Sequence, residues 1–336
     1  MVVYIALSCV DLELFVEKSW KWLLVFNLGF NLLVRTPLGV MHGGNLSWIR
    51  FPGLPLDIQP AEVTKLTFIL LLAWQCAKLQ EKDISRPSSV FQIVAHTGLM
   101  AGLIAVVSGD FGMALVYLFL FVVLAWTSGV NLRWFFLAAV ICVVGAVLIW
   151  PHISSQYFAR RITVVIDHIL GNEDTLYNQT QGDGWQQTRS ILAIGSGRLT
   201  GQGYLKGTQT QSPYESSLNA RSTDEIFAVC GEELGMLGCL VVILLLSAII
   251  ARCVWVARRA PSPTTALIAM GYAGMLFFQS ALNIGMCLYV LPIVGLTLPF
   301  FSYGGSSIIT MYAAMGVVSS VKTRSLPSWL KDRSQL

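Results

Sequence analysis

The chain has 336 residues, of which 55% are hydrophobic and only 12% charged, with a mean hydropathy of +0.66. A soluble domain carries roughly 25% charged residues, so composition excludes an ordinary soluble enzyme and predicts an all-α polytopic membrane bundle, one integral domain over residues 1–336. The net charge of +4 is small and its Lys and Arg are scattered through short segments, a topology signal rather than a nucleic-acid surface.

A membrane-spanning helix needs about 20 mostly apolar residues. In chain order the spans fall at 20–36, 61–80, 89–108, 112–129, 132–150, 226–257, 264–291 and 303–321. That gives about eight crossings, with a ninth fragment at Met1–Cys9 that reads as the end of a span and lacks the basic start of a secretory signal. Lys18, Lys21, Lys78, Lys82, Arg86, Arg133, Arg252, Arg258 and Arg259 fall on one side if the spans alternate, together with Lys322, Arg324, Lys331 and Arg333 of the tail. That side, and the C-terminus with it, is assigned to the cytoplasm. The outer segments are then 37–60, the turn near Gly109, the long loop 151–224 and a break at Gly295–Ser307. Within the long loop, Phe158–Leu170 and Gln186–Ile194 have helical spacing, and Gly171–Gly184 reads as a flexible polar stretch. Loops this long are usually functional. Seven Cys and four His show no metal or disulfide spacing.

Several polar residues interrupt this apolar pattern. The run Gly295–Leu296–Thr297–Leu298–Pro299–Phe300–Phe301–Ser302–Tyr303–Gly304–Gly305–Ser306–Ser307 breaks a helix where the chain should be continuous. Such breaks survive at membrane depth only where protein or a wet cavity satisfies the backbone. Gly304, Gly305, Ser306 and Ser307 open the last span, where free N–H groups suit an anion and small residues suit close helix packing. Asp224 stands where the long loop enters the sixth span. It reads as part of a helix cap, with Ser222 and Glu225 at capping-box spacing, or as a general base at the membrane surface. Glu232 and Glu233 lie about 12 Å deeper along that helix, as a structural ion pair or as polar groups lining a cavity. Asp110 suits the N-cap of the following helix. Glu62 and Lys65 are i, i+3 neighbours that can pair, and Lys65 is also placed to meet an anionic headgroup. Gly195–Ser196–Gly197–Arg198–Leu199–Thr200–Gly201–Gln202–Gly203 is Gly-rich beside one Arg, a weak phosphate signal.

Taken together, Gln59–Pro60–Ala61–Glu62–Val63–Thr64–Lys65, Asp110–Phe111–Gly112, Gln186 to Ser190 with the Gly-rich run, Thr223–Asp224 with Ile226–Phe227–Ala228–Val229, Gly231–Glu232–Glu233–Leu234–Gly235, Asn283–Ile284–Gly285 and Leu291–Pro292 through Ser307 resemble the SEDS family (shape, elongation, division and sporulation) of RodA, FtsW and SpoVE type. The resemblance covers nearly the whole chain. It implies a ten-helix membrane glycosyltransferase that polymerises lipid II into peptidoglycan at the outer membrane face. It also implies a class B penicillin-binding protein and other cell-wall synthesis membrane proteins as partners, and a divalent cation, Mg or Mn. The family's essential carboxylate maps onto Asp224. Lys65, Glu62, Arg50, Arg198, Gln186 and Gly304–Ser307 are the expected substrate contacts. Against the family pattern, Ser222 and Glu225 stand where His and Phe are usual, and Leu46–Ser47 replace an Arg pair before Trp48–Ile49. The family's first helix and most of its second are absent, which reads as a truncated or misassigned start or a divergent member. A lipid II transporter using Glu232 and Glu233, and a non-catalytic scaffold for the penicillin-binding protein, are the two other readings.

Overall fold

The computed structural model describes residues 1–336 except 43–44, 54–55, 154–156, 213–217, 219 and 325–336. Lys331 and Arg333 of the tail therefore lie outside the described residues. The chain divides into two compact units.

The first unit comprises Met1–Val130, Ala248–Phe278 and Gly304–Leu336. It opens with α1 (Val2–Ser8) and α2 (Leu12–Leu32). Helix α2 starts eight residues before the expected span, because the Asp11 side chain accepts from the backbone N–H of Leu14 and caps it. Glu13, Glu17, Lys18 and Lys21 hide this first part from a hydropathy window. A three-stranded antiparallel sheet follows, β1 (Gly39–His42), β2 (Asn45–Arg50) and β3 (Asp57–Ile58), in the segment expected only to be an outer loop. Gly39 pairs with Ile49 and Arg50 with Asp57. Helix α3 (Pro60–Gln80) begins on Pro60, whose missing N–H costs nothing in a first turn. Helix α4 (Pro87–Leu103) loosens into a π turn at Ile104–Ser108 and stops at Gly109, φ +66°. Asp110 then caps α5 (Phe111–Thr127), accepting from Met113 N–H at 2.9 Å, and its other oxygen accepts from Gln59 at 2.8 Å. The last helix, α12 (Gly305–Arg324), packs on α1 where Gly316 admits the Tyr4 backbone; a Cβ there would lie 2.6 Å from the Tyr4 carbonyl oxygen.

Buried polar side chains tie α2, α3 and α5 together. Asn31 donates to Thr64 Oγ1 at 2.9 Å, Thr64 and Tyr117 share a 2.8 Å bond, and Tyr117 donates to the Ala61 carbonyl at 3.0 Å. Interhelical hydrogen bonds of this kind take the place of the hydrophobic effect, which lipid does not supply.

The second unit comprises Asn131–Ser247 and Gln279–Tyr303. It contains α6 (Leu132–Ile153), α7 (Tyr157–Leu170), α8 (Leu176–Thr180) and α9 (Trp185–Ser196). The stretch expected to be flexible, 171–184, instead folds into a 3-10 turn at Glu173–Thr175 and α8. Asn172 caps that turn, and Gln179 donates back to the Asn172 carbonyl at 2.7 Å. Helices α10 (Ile226–Arg258) and α11 (Pro263–Cys287) run on into the first unit's segments. Pro87–Ser108, α10 and α11 are long and apolar enough to cross a membrane, and Phe111–Thr127 and Leu132–Leu148 are shorter apolar helices.

Candidate functional site

The break before α12 closes around Asp224. Three successive carbonyls each receive a donor: Ser222 from Tyr303 N–H at 2.7 Å, Thr223 from Ser302 Oγ at 2.6 Å, and Asp224 from Asn283 Nδ2 at 2.8 Å. Asn283 also donates to the Leu296 carbonyl at 2.7 Å, and Ser302 Oγ accepts from Leu298 N–H at 2.7 Å. The irregular 295–303 run, with Asn283 of α11, is thus a clamp on the main chain of residues 222–224. Gly295, φ +69°, turns the chain so that a Cβ at 295 would stand 3.8 Å from Asp224 Oδ2. Backbone satisfaction is what membrane depth demands of a broken helix; here the same bonds fix where one carboxyl points.

Asp224 is partly exposed, whereas Glu225 is buried at 3%. Desolvation pushes the Asp224 carboxyl up to about 6, with the positive charge of Arg161 acting against that rise. Burial pushes Glu225 up to about 7, opposed by its bond from Ser190 and reinforced by the neighbouring Asp224. Ser190 of α9 donates to Glu225 Oε1 at 2.6 Å, while Glu225 Oε2 has no hydrogen-bond partner among the described residues. Gln186, Gln187 and Ser190 line a narrow hollow beside Glu225 with Met286, Cys287 and Ile293. The capping-box expectation for Ser222 and Glu225 does not hold. The helix begins at Ile226, the Glu225 carbonyl already accepts from Ala228 and Val229, and its carboxyl is turned to Ser190.

Helices α7 and α9 are laced to the segment after α11. Arg161 donates to the Ile293 carbonyl at 2.8 Å, Gln187 to that of Leu291 at 2.7 Å, and Tyr289 to that of Gln179 at 2.9 Å. The Tyr289 ring stacks on His168 at 4.0 Å.

Glu232 and Glu233 form no ion pair among the described residues and serve a different purpose from either expectation. Glu232 accepts from Gln209 N–H and Thr210 N–H, both at 2.8 Å, and from Thr208 Oγ1 at 3.1 Å. Glu233 accepts from Leu205 N–H, Thr210 Oγ1 and Gln211 Nε2 at 2.8–2.9 Å. Both carboxylates hold the loop that follows α9. That loop in turn repairs a break in α10 at Gly235, φ 68° and ψ −169°. Met236 and Leu237 donate to the carbonyls of Arg198 and Leu199, and Gln202 and Gly203 donate to those of Glu232 and Glu233, at 2.9–3.1 Å. The glycines permit the approach. A Cβ at Gly197 would meet the Gly231 oxygen at 1.9 Å, and one at Gly201 the Glu233 oxygen at 2.1 Å. The Gly-rich run is therefore a helix patch, with Arg198 at its exposed edge.

The other expected site residues fall in the first unit. Lys65 is fully buried and donates to Glu62 Oε2 at 2.6 Å, and Thr310 of α12 donates to the same oxygen at 3.2 Å. Of the two openings for Lys65, pairing is the one realised. Arg50 forms a two-pronged bond to Asp57, both contacts at 2.7 Å, and remains exposed. Gly305 packs tightly, since a Cβ there would lie 2.7 Å from Leu56 Cδ2. Ser306, 5% exposed, leaves its hydroxyl without a hydrogen-bond partner among the described residues near the start of α12. Ser307 is also buried, and its carbonyl accepts from Thr310.

Among the described residues no three His, Cys, Asp or Glu side chains cluster as a metal site. Magnesium, however, is commonly held by one or two carboxylates with substrate phosphates completing its shell. Asp224 and Glu225, with the orphaned Glu225 oxygen, fit a hard cation on those terms.

Comparison with known proteins points the same way. The family of FtsW, RodA and SpoVE cell cycle proteins matches residues 1–326. Peptidoglycan glycosyltransferase MrdB of Escherichia coli (strain K12) is 32% identical over 314 residues, covering 92% of this chain and 79% of that protein. The probable peptidoglycan glycosyltransferase FtsW of Pasteurella multocida is 32% identical over 327 residues, covering 94% and 78%. Among solved structures, a chain from work on the structural coordination of polymerization and crosslinking by a peptidoglycan synthase complex matches with TM-score 0.77 and 27% identity, covering 97% of this chain and 87% of that one. The rod shape determining protein RodA of Thermus thermophilus matches with TM-score 0.59 and 26% identity, covering 97% and 87%.

Proposed function

We infer the chemistry from one premise: this chain belongs to the FtsW, RodA and SpoVE family. It is a bacterial membrane protein and a peptidoglycan glycosyltransferase. The reaction we propose for it joins lipid II units at the outer membrane face, with the C-terminus in the cytoplasm. Asp224 removes the proton from the sugar 4-hydroxyl of the acceptor. The freed oxygen attacks the anomeric carbon of the donor, that carbon inverts, and undecaprenyl diphosphate leaves. The observation that carries this assignment is the clamp: three bonds to main-chain carbonyls and Gly295 present one largely buried carboxyl that still reaches solvent, held up near 6 by desolvation. A carboxyl with a pKa near the working pH is a better base than an ordinary Asp near 3.9.

The leaving diphosphate needs positive charge or fixed dipoles. Within the second unit the positive charge of Arg161 acts on Asp224, and this guanidinium is the group best suited to that role. Lys65 and Glu62 neutralise each other, and Arg50 is committed to Asp57, so these three act on substrate only by exchanging partners. A divalent cation, when bound, supplies charge to the diphosphate, and Asp224 and Glu225 are the residues that would hold it. A class B penicillin-binding protein is the partner this reading requires, in line with a structural neighbour taken from a synthase complex.

The test is polymerisation of labelled lipid II by purified protein. Asp224→Asn is expected to lower the rate by about 10²–10⁴-fold, the usual worth of general base catalysis, with an unchanged melting temperature. Glycan growth at the wild-type rate in a folded Asp224→Asn protein overturns the assignment of Asp224 as the base, whereas no growth by the wild type itself leaves the scaffold reading in its place.

A further inference from the structure

The far end of α10 carries a basic cluster that the transferase reaction does not use. Arg252, Trp255 and Arg259 are spaced i, i+3 and i+7, which puts them on one face of the helix end. The Arg252 guanidinium lies 4.1 Å from the centre of the Trp255 ring and that of Arg259 4.2 Å; Lys322 Nζ of α12 lies 5.0 Å from the same centre. Three cations around one indole repel one another. The ring returns only about 0.5–2 kcal/mol per cation. Among the described residues no carboxylate is paired with Arg252 or Arg259.

Helix dipoles explain part of the cluster and not the rest. Their pull on cations falls off within the last turn. That covers Arg258, Arg259 and Lys322, but Arg252 sits six residues before the end of α10. A guanidinium that uses its flat face on an indole keeps its N–H edge free for a planar or tetrahedral anion. The cluster also lies just past the apolar length of a helix that qualifies as a span, at the depth where Trp marks a membrane interface.

We propose that Trp255, Arg252, Arg259 and Lys322 form a binding site for the headgroup of an anionic phospholipid. The guanidinium edges take the phosphate diester, and the indole covers the glycerol end of the acyl chains. Basic pockets between spanning helices hold acidic lipids in this way. The phosphate chemistry alone would also admit inorganic phosphate; the position at the end of a span favours the lipid.

Native mass spectrometry of the detergent-purified full chain, titrated with phosphatidylglycerol or phosphatidylcholine, tests the site. The wild type is expected to retain phosphatidylglycerol at least fivefold over phosphatidylcholine, and the Arg252→Gln/Arg259→Gln pair to lose that preference. Arg258→Gln removes the same charge one step away from the ring and is expected to leave it unchanged. Equal retention of both lipids by the wild type overturns the proposal, as does unaltered preference in the double variant or an equal loss in Arg258→Gln. Displacement of the lipid by millimolar inorganic phosphate overturns the lipid assignment. Should the double variant fail to fold, quenching of wild-type fluorescence by brominated phosphatidylglycerol decides: it must exceed that in Trp255→Phe, and equal quenching refutes the site.

Discussion

Two broken stretches of the second unit look alike in sequence and differ in what they leave over. Both place glycines and polar residues inside apolar chain: Gly231–Glu232–Glu233–Leu234–Gly235 in α10, and Gly295 to Tyr303 after α11. At the first, every carboxylate oxygen of Glu232 and Glu233 has a donor and the loop repairs the helix backbone. At the second, Leu298, Phe301, Ser302 and Tyr303 N–H groups find acceptors, yet among the described residues Glu225 Oε2 and the buried Asn283 Oδ1 lack partners, and Asp224 reaches solvent. Buried polar groups without partners are rare and costly in native proteins. Among the described residues such atoms occur elsewhere too, Gln209 Oε1 of the brace loop included, so the separation of site from brace rests on the carboxyls themselves: those of the brace are saturated by donors, while Glu225 keeps one oxygen over and Asp224 reaches solvent.

That contrast is open to attack at both ends. The largest effect is expected at the brace. Gly201→Val sets a branched side chain against the Glu233 carbonyl at a position with φ +80°, and detergent-solubilised protein should be recovered unfolded or not at all. Glu232→Gln replaces one of two oxygens that accept backbone N–H groups with an amide nitrogen that only donates; thermal unfolding should show a loss of about 1–3 kcal/mol. Polymerisation by the surviving fold should stay within a few-fold of wild type. A collapse of activity at unchanged stability would erase the distinction between brace and site.

At the clamp the effects should be kinetic. If Asp224 must be ionised, polymerisation should fall as pH drops through about 6 and approach tenfold per pH unit below it. A flat profile between pH 5 and 7 would remove Asp224 from the chemistry. Ser302→Ala deletes the hydroxyl that bridges Thr223 and Leu298. We expect about tenfold lower turnover with little change in lipid II affinity, since a positioning error acts on kcat. The last effect concerns Glu225 and is confined to the pH dependence of stability. Its folded pKa is raised, to about 7 against a usual 4.5, so the unfolded chain ionises first as pH rises. The neutral form therefore favours the fold below about 4.5, and that advantage is lost between about 4.5 and 7. Glu225→Gln should flatten the dependence of melting temperature on pH over that window, by at most about 3 kcal/mol.

The helices were legible because apolar length is a robust signal: α3, α4, α10 and α12 start within a few residues of where hydropathy places them, and of these α4 with its π turn and α10 are long and apolar enough to span a membrane. Their failures have local causes. The start of α2 carries four charges, and only the Asp11 cap reveals it. The sheet at 39–58 is short and irregular, with a register shift between Val40 and His42. At the site, Asp224 stood out in the sequence, but its clamp did not, because the bonds run from distant Asn283, Ser302 and Tyr303 to main-chain carbonyls that carry no residue signature. The roles of Glu232 and Glu233 were hidden for the same reason, their donors being mostly backbone amides. The glycines at 197, 201 and 207 were the available clue, since each sits where a side chain would strike α10 or Glu232.

The clamp on Ser222, Thr223 and Asp224 reads peptide groups and ignores the side chains at 222 and 225. Residue identity on either flank of the aspartate can therefore change without loosening it, so the serine at 222 and the glutamate at 225, where the resemblance leads one to expect histidine and phenylalanine, leave the clamp as it stands. A change there retunes the local charge and proton affinity and leaves the grip on the main chain in place.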